Sequence, residues 1–127
     1  VTEAFLLVAV GGAVGSMARH GVGLVTAAWL GSALPWGTLL VNVVGSFLIA
    51  IVAVLATESA RLSESMRLLL ATGVMGGFTT YSSFSLETLR LFEAGETLRA
   101  GLYLAGTTLS CMLACAGGLV VGRALGP

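Results

Sequence analysis

Charge appears in this chain only as punctuation between long apolar runs. Phe5 to Trp29 carries one charged residue, Arg19, with His20 beside it. Trp36 to Ala56 carries none, and neither does the stretch between Arg67 and Glu87 or that between Arg99 and Arg123. A helix needs roughly 20 apolar residues to cross a bilayer. Four such spans fit this chain and a fifth does not. Charged residues make up 9% of the sequence, against about 25% in soluble domains, so a water-facing surface cannot be assembled from it. The chain reads as an all-α integral membrane protein, and its polar residues must be read as residues in lipid.

The spans fall at about 4–29, 36–56, 67–91 with a break near 75–80, and 98–123, within a single domain covering 1–127. Pro35 is placed to start the second helix, and Trp29 and Trp36 flank the short turn before it as interfacial indoles do. Ser63 is positioned to cap the third helix. The charged stretch Glu87 to Arg99 joins the third and fourth. The first residues lack a basic leader and a small-residue cleavage site, so no removable signal peptide is expected. With four spans, Arg61, Arg67 and Arg123 share one side; Arg90 and Arg99 share the other, with Arg19 able to snorkel towards it. Positive charge in cytoplasmic loops normally sets orientation. Near balance leaves two readings: insertion both ways, or one orientation with Arg67 and Arg99 as helix-end anchors. Zero net charge offers no basic surface to nucleic acid. Catalytic triads, metal-site spacings and a disulfide framework are missing from the sequence, so enzymatic activity has no support.

In the first span, Gly11, Gly15 and Arg19 recur every four residues, a spacing at which glycines let helices approach closely. Arg19 either lends positive potential to a vestibule or ties the bundle together. In the second, Thr38, Asn42 and Ser46 share one helix face; Asn42 serves as interhelical glue or as a donor on a polar pathway. The third span, RLLLATGVMGGFTTYSSFSLE, is unlike a lipid-facing helix. Gly76 and Gly77 followed by Thr79, Thr80, Ser82 and Ser83 favour an unwound turn, which survives at membrane depth only inside protein or beside a water-filled cavity. Its freed carbonyls suit a hard cation, and its amides and hydroxyls suit an anion. Phe78, Tyr81 and Phe84 are three apart; they pack as core, or Tyr81 and Phe84 turn electropositive ring edges to an anion. In the fourth, Tyr103, Thr107, Cys111 and Cys115 make a polar or soft stripe, with Gly106, Ser110 and Ala114 as a packing seam; the cysteines read as buried thiols. No acid is expected within a span. Glu87 is assigned to a helix end or loop, and proton-coupled transport, which usually relies on an embedded acid, loses most of its weight.

The runs GGAVGSMAR (Gly11 to Arg19), WGTLLVNVVGSF (Trp36 to Phe47) and GVMGGFTTYSSFS (Gly73 to Ser85) resemble the family of small fluoride channels called Fluc or CrcB. The likeness is close over three spans and looser over the fourth. It implies an antiparallel, dual-topology homodimer in the bacterial cell inner membrane. It implies two pores that pass fluoride out of the cell, protecting it from fluoride toxicity. It further implies a structural sodium ion at the dimer centre, held by backbone carbonyls of Gly76 and Thr79. By motif position the ion pathway takes in Asn42, Tyr81, Phe84, Tyr103 and Thr107. Thr38, on the Asn42 face, joins them as a donor, and Arg19 falls on the family's first-helix arginine. Tyr81 stands where the family usually has Phe, and Cys111 where Ser is expected. The rival expectation is a non-conducting membrane subunit that docks a partner protein through the broken helix.

Overall fold

The computed structural model describes residues 1–126. Helix α1 runs over Thr2–Leu30 and α2 over Trp36–Thr57. Helix α3 covers 64–78, wound as a π-helix over Leu68–Met75. Helix α4 is Tyr81–Glu93 and α5 is Thr97–Leu125. Three of these, α1, α2 and α5, are long and apolar enough to cross a membrane; α3 and α4 follow one another with two residues between them. Leucines and valines such as Leu6, Val14, Leu109 and Val120 stand exposed along the long helices, as lipid-facing positions must.

Local chemistry sets the ends. The Ser63 hydroxyl accepts the Met66 N–H at 3.2 Å and starts α3. Gly31 and Gly95 both take φ +79°, a left-handed backbone that glycine adopts without a Cβ clash, and they turn the chain between α1 and α2 and between α4 and α5. Below Ser63, Glu64 receives Arg67 at 2.6 Å, and that hydrogen bond holds its carboxyl below the usual carboxylate range.

Packing follows the small residues. Helix α1 lies against α3, and α2 against α5. A Cβ on Gly11 would sit 2.9 Å from the Gly73 Cα, and one on Gly15 would overlap the Val74 carbonyl. The close-approach reading of these glycines is therefore what the fold uses. On α5 the seam lies elsewhere than expected. Gly106 and Ser110 are exposed; the face turned to α2 carries Ala100, Tyr103, Thr107, Gly118 and Gly122, and a Cβ on Gly118 would come 2.8 Å from the Ala50 Cβ. Residues 107 and 118 are three helical turns apart, so this set holds one face, and Gly106 and Ser110 lie to one side of it.

The helix interruption is displaced from the glycine pair. Gly76 and Gly77 are helical, and Gly77 serves contact: a Cβ there would meet the Ser16 Oγ at 3.0 Å. The extended residues are Thr79 (φ −85°, ψ 157°) and Thr80 (φ −152°, ψ 112°). Their hydroxyls settle both ends of the gap. Thr79 Oγ1 donates back to the Met75 carbonyl at 2.9 Å, and Thr80 Oγ1 accepts the Ser83 N–H at 3.2 Å as the cap of α4.

Candidate functional site

Asn42 holds the break open. Its Nδ2 donates to the Thr80 carbonyl at 3.0 Å, and its Oδ1 accepts the Thr80 N–H at 2.8 Å. The primary amide thus supplies both bonds that one residue of a helix ladder would otherwise need. Carbonyls at the break lose their regular helical partners, Gly76 O and Thr79 O among them. The helical donor for Gly76 O would be the Thr80 N–H, which is given to Asn42. The helical donor for Thr79 O would be the Ser83 N–H, which is given to the Thr80 hydroxyl. Gly77 O, between them, accepts from Arg19 Nε at 3.0 Å. Arg19 therefore ties α1 to α3 and also lines a cavity of about 510 Å³ with His20, Thr38, Thr80 and Ser83.

On the other side of Asn42 is a second cavity, of about 300 Å³, lined by Asn42, Ser46, Thr80, Tyr81, Phe84 and Thr107, with Cys111 one turn further along α5. Thr107 is 3% exposed, and its hydroxyl is the one buried side-chain polar atom without a hydrogen-bond partner among the described residues. A buried polar group left unpaired costs about 1–3 kcal/mol, so such a group calls for a ligand or water. Phe84 is buried and meets the Tyr103 ring edge-on, with centroids 5.2 Å apart at 64°. Tyr81 is tilted at 47° to Phe84 at 5.8 Å, yet is 79% exposed. The two aromatic positions thus part company, one inside the chain and one projecting from it.

Glu87 overturns its assignment to a helix end. Helix α4 continues to Glu93, and Glu87 lies one turn past Ser83, facing α2 and α5. Thr38 Oγ1 donates to one carboxylate oxygen at 3.0 Å, and the Tyr103 hydroxyl donates to the other at 3.0 Å. An acid is therefore embedded among the very hydroxyls expected to serve an ion. The sequence carried a signal for it: Glu87 follows Thr80, Ser83 and Phe84 at helical spacing on one face. Beyond it opens a cavity of about 420 Å³ that reaches Arg90 and the Gly31–Pro35 turn. Thr38 lines this cavity and the Arg19 cavity alike.

The site contains no cluster of three or more His, Cys, Asp or Glu side chains able to hold a metal, among the described residues. The carbonyls of Gly76, an exposed residue of α3, and of Thr79, in the break, lack their helical donors. Uncharged oxygen donors fit a hard cation.

The family described as "CrcB-like protein, Camphor Resistance (CrcB)" matches residues 6–119. A protein of Rhizobium etli named "Fluoride-specific ion channel FluC" is 51% identical over 120 residues, covering 94% of this chain and 96% of the relative. One of Thermus thermophilus with the same name is 52% identical over 105 residues, 83% of each chain. One of Hyphomonas neptunium, again so named, is 49% identical over 120 residues, 94% of each.

Proposed function

The chain belongs to the CrcB-like family, and from that premise we infer that it is a fluoride-specific ion channel, as its relatives are named. The observation that carries the reading is the buried, unpartnered Thr107 hydroxyl in a cavity whose other wall is the Asn42-braced helix break. Fluoride is small and tightly hydrated, and stripping its water without replacement costs tens of kcal/mol in the Born limit. Neutral donors replace that water while still letting the ion leave. The same family membership disfavours the reading as a non-conducting docking subunit.

Thr38, Asn42, Tyr103 and Thr107 are the donors, and the edges of Phe84 and Tyr81 add weaker attraction. Thr38 and Tyr103 already spend their hydrogens on Glu87. An arriving fluoride competes with that carboxylate for both hydroxyls, so Glu87 releases donors as the ion passes and recovers them afterwards. Arg19 keeps one guanidinium face on Gly77 and leaves positive potential on the adjacent cavity.

A second copy completes the site. Tyr81 and Gly76 are both exposed in the single chain, and an antiparallel homodimer would cover them. The Gly76 and Thr79 carbonyls of both copies would hold sodium; when bound it supplies a fixed positive charge at the centre. Insertion in both orientations agrees with the near-balanced arginines. The setting is the bacterial inner membrane, where passive conduction lowers internal fluoride.

Purified protein in fluoride-loaded liposomes should release the ion when a counter-ion path is opened, read by a fluoride-selective electrode. No release above empty liposomes refutes the channel reading. Single-sided labelling of a cysteine at Ser63 and of another at Gly95 refutes dual insertion. Dimer dissociation that is indifferent to replacing sodium with a large organic cation refutes the sodium site.

A further inference from the structure

Cys111 and Cys115 take no part in the fold's hydrogen bonding or in the pathway chemistry above. Both are free thiols and half-buried. They lie one helical turn apart on α5, on the stripe that begins with Tyr103 and Thr107. Cys111 lines the same cavity of about 300 Å³ as the unpartnered Thr107 hydroxyl, and the Met112 thioether lines it too. Cys111 thus borders the cavity together with the largely exposed Met112, and Cys115 lies one turn beyond it on α5.

We propose that Cys111 and Cys115 form a binding site for a soft monovalent cation of the copper(I) or silver(I) class, and that filling it blocks the ion pathway. Soft thiolate and thioether ligands select such ions over hard ones. Side chains four apart on a helix have Cβ atoms about 5–6 Å apart. Metal–thiolate bonds of the zinc length, about 2.3 Å, would hold two linearly bound sulfurs about 4.6 Å apart, within reach of that spacing. The step involves no redox change: two S–H bonds break, two metal–sulfur bonds form, and two protons pass to water. Two thiolates on one monovalent ion carry a net charge of −1. That charge would stand beside Thr107, where the passing ion is itself an anion, and a like charge in a low-dielectric site raises the barrier to it. The metal thus obstructs by sign as well as by size.

The blocking half of this inference rests on the channel reading, and the experiment separates the two. Fluoride efflux from proteoliposomes is followed in chloride-free nitrate medium with and without micromolar silver ion, for the native chain, Cys111→Ser and Cys115→Ser. Each protein is compared with its own silver-free rate. Silver retained after desalting is counted per chain by mass spectrometry. The native chain should retain one silver ion and lose efflux by about tenfold or more, as occlusion of a narrow pathway requires. Cys111→Ser should retain none and keep its rate, and Cys115→Ser should need a much higher silver concentration for the same block. Undiminished block in Cys111→Ser, or silver bound by the native chain with no slowing, overturns the proposal. A native chain that conducts nothing before silver is added refutes the channel reading and with it the blocking half, while the metal count still decides the binding half.

Discussion

The third span, α3 and α4 together, meets its neighbours in two opposite ways. Towards α1 it is backbone against backbone. Gly11 and Gly15 of α1 and Gly73 and Gly77 of α3 leave no room for a Cβ, and Arg19 closes the end by taking the Gly77 carbonyl. Towards α2 and α5 it is interrupted, polar and hollow, with an amide clamp, an embedded carboxylate and a hydroxyl that has no partner. The first side is built so that everything touches. The second leaves groups waiting for something the chain does not supply. A rigid seam on one side is what allows a helix break to keep its geometry on the other, because Asn42 alone restrains only Thr80.

That contrast can be broken most severely at the seam. Gly15→Ala puts a methyl into the Val74 carbonyl. Overpacking against side chains costs about 1–3 kcal/mol, and here the obstacle is backbone that cannot rotate away. We expect loss of monodisperse protein on size-exclusion chromatography; a normal elution profile would show that α1 and α3 are not tightly docked. Next in size is Asn42→Leu, which strands the Thr80 N–H and carbonyl. Two unsatisfied groups at about 1–3 kcal/mol each should lower the thermal midpoint in detergent and abolish fluoride flux together. Unimpaired flux would remove Asn42 from both roles.

Thr107→Val sharpens the comparison, since it deletes the orphan hydroxyl while keeping shape. Stability should stay level or rise by about 1 kcal/mol, as removal of an unpaired buried group permits, while efflux falls sharply. A parallel fall in both would mean that the hydroxyl has a structural partner after all. The smallest expected effect is at Tyr81→Phe. The ring is 79% exposed in the single chain, so unfolding of the subunit should be unchanged, and efflux should hold or increase as the phenolic bulk leaves the pathway. Slower flux in this variant would make the Tyr81 hydroxyl a working donor.

The outcome at individual residues shows where reading a sequence runs short. Thr38, Asn42 and Ser46 share a face by helical spacing alone, and the structure brings Thr38 and Asn42 to Glu87 and Thr80 on that face. The glycine pair was legible as special, but its use was not. Conformational freedom and close approach leave the same letter in a sequence, and only the position of Gly12 and Ser16 of α1 distinguishes them for Gly77. Glu87 was hidden by its neighbours: it opens the most charged stretch of the chain, so it resembles a loop residue until α4 is seen to continue beneath it. Gly106 and Ser110 made a plausible seam that the rotation of α5 about its axis turned outward.

What the amino-acid order settled alone was the solvent and the alphabet of the fold. Long uncharged runs admit only helices in lipid, since each backbone N–H and carbonyl must find its partner within the segment, and a cluster of hydroxyls beside glycines announced where that rule is relaxed. Which groups take up the relaxed bonds belonged to the tertiary structure. Asn42 reaches Thr80, and Thr38 and Tyr103 reach Glu87, across gaps in sequence that only the azimuth of each helix can close. The azimuth is decided by how small residues nest against a neighbour, a property of pairs of helices that no single run of residues contains.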